Sequence, residues 1–218
     1  MARTAGAATQ QGRETDVTAP IVLSVVVPVF NATPAAERLV RAMLAQTFER
    51  PWELILVDDG SVPDLGRALA HLADERLRVV RLAENRGRAA ARNAGARAAS
   101  GDCLVFLDVD CLPADHGFLH AHARAMAMGH DLSYGPVSGA GTDFGSRYLN
   151  AVARRRLRAF CDERSRIMTT ENVCLRRTAF KAVNGYDERY RYSMTAAVVV
   201  VVVVVETKKT KILLMNLN

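Results

Sequence analysis

The stretch IVLSVVVPVFNATPAAERLVRAMLAQTFERPWELILVDDGS, residues 21–61, decides the fold. It opens on a β-branched apolar run, IVLSVVVPVFN at 21–31, and closes on a second, PWELILVDDGS at 51–61, which ends in acids and glycine. Runs that are apolar on both faces are what a parallel sheet demands, because helices cover it from either side. Between them Thr33 and Pro34 make a helix start, and Leu39, Met43 and Leu44 fall on one face of that helix. The segment reads as a βαβ unit.

Working outward, the alternation continues with a helix near 62–73, a strand RLRVVRL at 76–82, a helix GRAAARNAGARAAS at 87–100 and a strand at 103–108. That order predicts a doubly wound α/β fold, a mostly parallel sheet with right-handed crossovers. Ligands of such sheets sit outside the carboxyl ends of the strands, so the polar endings PVFN, VDDGS and DVD should converge on one nucleotide-binding crevice. After Pro113 the pattern loosens. HGFLHAHARAMAM looks helical, DLSYGPVSGAGTDFG is loop-rich, SRYLNAVARRRLRAF is a basic helix, and TTENVCLRRTAFKAVNGYDERY gives a short strand, a helix and a turn.

The chain has 218 residues, half of them hydrophobic and about a quarter charged, which suits one well-buried globular domain, here residues 21–193. Residues 1–20 lack an apolar core of secretory length and read as a flexible arm, which makes a cytoplasmic location the expectation. Residues 194–218 contain an unbroken valine run at 198–205, too short for a spanning helix, and read as a low-complexity tail. The cysteines Cys103, Cys111, Cys161 and Cys174 show no paired short spacing and read as reduced thiols. A net charge of +6, carried mostly by arginine, suits phosphate-bearing or acidic partners. Nucleic acid is not expected, since neither an aromatic-rich RNA-binding signature nor a zinc-ligand motif accompanies that charge.

Three constellations carry chemistry. Asp108 and Asp110 leave a strand as Asp-x-Asp, and residues i and i+2 share one face of an extended chain, so both carboxylates could enter one crevice. Magnesium or manganese takes such oxygen ligands, with phosphates and water completing the octahedron, although a lone Asp-x-Asp is also common on surfaces. Asp58 and Asp59 end another strand, either as an ordinary turn or as a carboxylate that accepts from a base or a ribose. Arg88 and Arg92 sit one turn apart near a helix start, where a phosphate is favoured and a solvated basic face is the bland reading. His116, His120 and His122 include an i, i+4 pair without a further ligand motif. Arg154 to Arg156 with Arg158 suggest contact with acidic lipid or a lipid-diphosphate acceptor, against a solvated helix face.

In order and spacing, SVVVPVFN, LILVDDGS, NRGRAAARNAGARAASGDCLVFLDVDC and TTENVCLRRTAFKAVNGYDERY resemble the family 2 glycosyltransferases, from about Leu23 to Tyr192. The resemblance implies the GT-A fold and inverting transfer of a sugar from a nucleotide-diphosphate donor to an acceptor hydroxyl, which is a sugar, lipid-linked or other. It implies that Pro28 and Phe30 line the nucleobase, that Asp59 reads the base or ribose, that Asp110 holds the manganese or magnesium ion, and that Asp108 supports donor binding. Glu171 and Asn172 match the region near the donor sugar and the acceptor, and Gly185, Tyr186 and Asp187 match a turn leading to the catalytic base.

There the sequence departs from the pattern. Members of the family follow that turn with an acidic pair whose aspartate removes the acceptor proton, whereas this chain has no carboxylate between Glu188 and Glu206. The expectation is a chain truncated or replaced after the GYDERY turn, with its usual base missing and Glu206 the next acid available. Donor binding should then outlast turnover. The alternative is a non-catalytic nucleotide-sugar-binding module. A sugar-1-phosphate nucleotidyltransferase is disfavoured, because VVVPVFN lacks the glycine- and arginine-rich loop with its lysine.

Overall fold

The computed structural model describes residues 22–135, 137–139, 141–161, 170–189 and 212–214. The expected arm at 1–20, the valine run and Glu206 lie outside the described residues. The two apolar runs form β1 (Leu23–Val29) and β2 (Trp52–Asp58), every residue of both buried, and α1 (Thr33–Leu44) crosses between them. Pro34 suits the first turn of α1, where its missing N–H costs nothing. Next come β3 (Leu77–Arg81), α3 (Arg88–Ala98) and the fully buried β4 (Cys103–Leu107).

The expected helix at 62–73 is only α2 (Leu65–Ala68) followed by a single 3-10 turn at Ala70–Leu72. Pro63 is the physical reason. It pushes Val62 away from helical backbone, so the helix cannot start until Asp64, whose side chain accepts from the Arg67 amide as a cap.

Beyond β4 lie α4 (Phe118–Ala127), β5 (Leu132–Tyr134), α5 (Phe144–Cys161), β6 (Asn172–Arg176), α6 (Arg177–Ala182) and β7 (Ile212–Leu214). The stretch read as loop-rich opens with β5. Three residues are too few for periodicity to register. Among the described residues the sheet runs β3-β2-β1-β4-β6-β5-β7. The strands β3, β2, β1 and β4 are parallel, β6 runs antiparallel to β4, and β5 antiparallel to β6. β5 therefore points the same way as β4.

Two cores flank the sheet. On one face α1 and α4 pack Leu39, Met43, Leu119 and Met126 against Val25, Leu54 and Val105. On the other, the alanines of α3 and Phe180 of α6 pack against Val26, Ile55, Val57 and Phe106. Helix α3 comes unusually close because Gly95 faces the sheet. A Cβ there would stand 2.3 Å from Val26 Cγ1 and 2.9 Å from Val57 Cγ2. Chain order reverses between β1 and β4, which places a crevice at their carboxyl ends.

Candidate functional site at the carboxyl ends of β1, β2 and β4

The exits of β1 and β2 are laced together. Asn31, with φ of 50°, donates its amide to Ser61 Oγ at 3.0 Å, and its Oδ1 accepts from the Val62 amide at 2.9 Å. This lock leaves Phe30 and Val62 as exposed apolar side chains at the rim, whereas Pro28 is buried as the penultimate residue of β1. Nothing in the hydropathy pattern marked Asn31, Ser61 or Val62. The DGS turn and the preceding VFN were the signals available.

The two adjacent aspartates of β2 divide their work. Asp58, fully buried, accepts from the Ser61 amide at 2.8 Å, the Leu65 amide at 3.2 Å and Arg81 Nη1. Burial alone would raise its pKa, but the Ser61 hydroxyl and amide, the Leu65 amide and the Arg81 charge outweigh that and hold it below the usual carboxylate range. Asp59 is 3 % exposed and accepts from the Arg86 amide at 2.8 Å and the Gly87 amide at 2.9 Å. It thereby holds the segment that enters α3. The sequence offered Asp59 as a turn residue or as a strand-end acceptor for a base or ribose, and the structure makes it a buried tether with lone pairs still available.

Asp108 sits just past β4 with its side chain nearly buried. Arg92 Nη2 donates to its Oδ1 at 2.5 Å, and Arg88 Nη1 stands 3.8 Å from its Oδ2. The Arg92 guanidinium also lies over the Tyr186 ring, 5.5 Å from its centroid. The expected pair of phosphate-facing arginines is thus split. Arg92, 5 % exposed, is bound by Asp108, while Arg88 keeps an exposed side chain.

The Asp-x-Asp does not continue the strand. The Cys111 amide donates to the Asp108 carbonyl at 3.0 Å and closes a turn, so Asp110 stands exposed at a bend rather than on an extended face. The period-two argument for both carboxylates fails for that reason. Burial, and then the charges of Asp108, Asp110 and Glu171, push the Cys111 thiol far up, which marks these three carboxylates as neighbours. The Asp108 amide donates to the Glu171 carbonyl at 3.1 Å, and Asn172 lies opposite Leu107 in the sheet. Glu171 and Asn172 accordingly stand beside the Asp-x-Asp turn.

Tyr186 and Gly185 are clasped to α3. Asn93 Nδ2 donates to the Tyr186 carbonyl at 2.8 Å and to Glu188 Oε1 at 3.0 Å, and its Oδ1 accepts from the Tyr186 amide at 2.9 Å. Gly185 has φ of 73°, and a Cβ there would stand 2.6 Å from Asn93 Oδ1. An open groove of about 670 Å³ lies along α3 and α6, lined by Arg97, Arg177, Lys181 and Glu188 among others. It is on the flank of the sheet, away from the strand ends.

The histidines do not assemble. His116 Nδ1 meets the Ala45 carbonyl at 2.8 Å, His120 packs edge-on to Phe48, and His122 is buried under the sheet. Among the described residues no three His, Cys, Asp or Glu side chains form a metal cage. Cys103, Cys111 and Cys174 are free thiols.

The sequence profile described as Glycosyl transferase family 2 matches residues 24–183. The chain belongs to this family. Glycosyltransferase AglE of Haloferax volcanii is 32% identical to it over 124 residues, 55% of this chain and 40% of that protein. A mannosyltransferase of Pyrobaculum calidifontis, solved with GDP-Man and Mn2+, superposes with a TM-score of 0.58 at 22% identity, covering 78% of this chain and 49% of the other. TarS 1-349 of S. aureus, solved with UDP-GlcNAc, superposes with a TM-score of 0.56 at 21% identity, over 76% of this chain and 48% of that one. These neighbours make the fold GT-A, as the motifs implied. The chain spans 40% of the length of AglE and just under half of each of these two solved chains. No helix among the described residues is long and apolar enough to cross a membrane.

Proposed function

We propose that this family 2 chain binds a nucleotide-diphosphate sugar in the crevice between β1 and β4 and serves its transfer, with inversion, to an acceptor hydroxyl. The observation that carries the reading is the exposed carboxylate of Asp110 on a turn closed by the Cys111–Asp108 backbone hydrogen bond, beside the buried Asp108–Arg92 pair and at the point where strand order reverses. Phe30 offers an apolar face for a base, and Asp59 retains acceptor capacity toward a base or ribose. Arg88 brings an exposed cation for the diphosphate.

The donor set suits a hard divalent cation. Asp110 is an exposed oxygen ligand, and Asp108 is committed to arginine, which fits magnesium or manganese, ions that take one or two protein carboxylates and otherwise bind phosphates and water. Bound there, such an ion supplies neutralisation of the charge growing on the departing diphosphate. Calorimetry with the common nucleoside diphosphates, with and without Mn2+ or Mg2+, tests the reading. Asp110→Asn should lower affinity at least tenfold when metal is present, and equal affinity would remove Asp110 from the assignment.

Turnover is a separate matter. The run from Arg189 to Val205 holds no carboxylate, so the general base that family members place after this turn has no counterpart there. A positioned base contributes roughly 10²–10⁴ in rate. Strong donor binding with slow transfer is the expected result, and this acid-free run is also what favours the second reading, a nucleotide-sugar-binding module without catalysis. For the acceptor, α5 supports a lipid-linked molecule. It presents exposed Arg147, Arg154, Arg155 and Arg158 beside exposed Phe144 and Tyr148, a face suited to peripheral contact with an anionic membrane.

A further inference from the structure

Beneath the acceptor side of the sheet, a line of buried polar side chains has no counterpart in the crevice chemistry described so far. His122 on α4 is 0 % exposed, and its ring reaches two strands at once. Nδ1 lies 2.7 Å from Ser133 Oγ on β5, and Nε2 lies 2.9 Å from Asn172 Oδ1 on β6. Ser133 is the register partner of Cys174, and the Cys174 thiol is hydrogen-bonded to Ser133 as well. Cys174, Ser133 and His122 are each 0 % exposed, and Asn172, at 9 %, stands next to the residue whose carbonyl receives the Asp108 amide.

The donors and acceptors allow one consistent direction. Asn172 Oδ1 can only accept, so Nε2 must carry the hydrogen and Nδ1 must accept. Ser133 then donates to Nδ1. The line therefore runs from Ser133 through His122 to Asn172, each bond polarising the next. It ends by fixing the Asn172 amide with its oxygen turned down into the protein.

We infer that His122 is a positioning residue, which, as the neutral Nε2–H tautomer held by Ser133, locks the Asn172 side chain so that its amide nitrogen is the group turned toward the acceptor side of the crevice. The inference deepens the proposed transferase reading and rests on it for the role of Asn172. Nothing in the line touches Asp110, so donor affinity through the metal site should not depend on it. What should depend on it is the step that uses a correctly placed sugar and acceptor, where a misplacement of about 1 Å costs up to 10²-fold.

The test uses the full chain with 15N-labelled histidine and asparagine. The His122 ring should show the Nε2–H tautomer at neutral pH, and an Nδ1–H tautomer would overturn the direction of the line. His122→Leu should shift the Asn172 side-chain amide resonances and lower kcat about 10-fold or more, with nucleoside diphosphate affinity in Mn2+ changed less than 2-fold. His122→Gln, which can accept from Ser133 and donate to Asn172, should restore most of that kcat. Because His122→Leu strands two buried polar groups and is at risk of not folding, Ser133→Ala is the second variant, with the same shift and a smaller loss. Should the parent bind no nucleoside diphosphate, the transferase reading fails and the resonances alone decide. Asn172 signals unchanged in Ser133→Ala and His122→Leu would overturn the inference.

Discussion

The two halves of the sheet solve the problem of buried polarity in opposite ways. On the β1–β4 side, carboxylates are buried against full charges and backbone amides. Asp58 meets Arg81, Asp108 meets Arg92, and Asp59 holds two amides. On the β5–β6 side, the buried line His122–Ser133–Asn172 contains no formal charge. A buried ion pair fails badly when one partner is lost, because the remaining charge is stranded, whereas a neutral line fails by losing hydrogen bonds. The β1–β4 half should therefore break in large steps, and the β5–β6 half should respond to pH.

The largest effect is expected from Arg92→Leu, which strands the Asp108 carboxylate. The cost should be about 3–5 kcal/mol in denaturant unfolding, and the Arg92→Leu/Asp108→Leu double variant should recover most of it. A double variant no more stable than the single would mean that Arg92 contributes through packing on Tyr186 instead.

Next in size is the pH response of the neutral half. Burial, partly opposed by the Asn172 hydrogen bond, pulls His122 down from 6.5 to about 4. As pH falls, the unfolded chain binds the proton first, so stability is complete above 6.5, declines below it and is lost in full once pH passes about 4. The loss should amount to about 3 kcal/mol, and His122→Gln should flatten the profile across this window. Asp58 adds its own loss at lower pH, since the contribution of a depressed carboxylate is complete above its unfolded value and is lost as pH falls through its folded one.

Gly95→Ala sharpens the comparison by testing packing alone on the charged side. The added methyl meets stiff β-branched Val26 at 2.3 Å, and the overpacking should cost about 1–3 kcal/mol in the same measurement. The smallest effect belongs to a pair outside both halves' cores. Glu37 meets Arg41 and His71 on the surface, and Glu37→Gln should leave the melting midpoint within experimental error.

Legibility followed the same divide. β1, β2 and β4 were readable because continuous apolar runs with polar endings have few other structural solutions, and α3 followed from the NRG start before a helical run. The site residues were readable as a set, yet their partners were not. A sequence shows Arg92 and Asp108 sixteen positions apart but not that one closes on the other, nor that Tyr186 receives the same guanidinium. The bend at Asp110 depends on a single backbone hydrogen bond that composition does not encode. On the β5–β6 side, β5 is three residues long, and His122 was one of three histidines without a further ligand motif until β5 and β6 were packed against α4.

The Asn93 clasp on Tyr186 has a consequence for engineering. Three hydrogen bonds to Asn93 and a glycine that tolerates no side chain fix the Gly185–Tyr186 turn against α3 just ahead of Asp187 and Glu188. A segment spliced on after residue 189 would inherit that origin regardless of its own sequence. The clasp is thus a ready junction for exchanging the segments that follow it onto one unchanged sheet, in the way a socket accepts different tools.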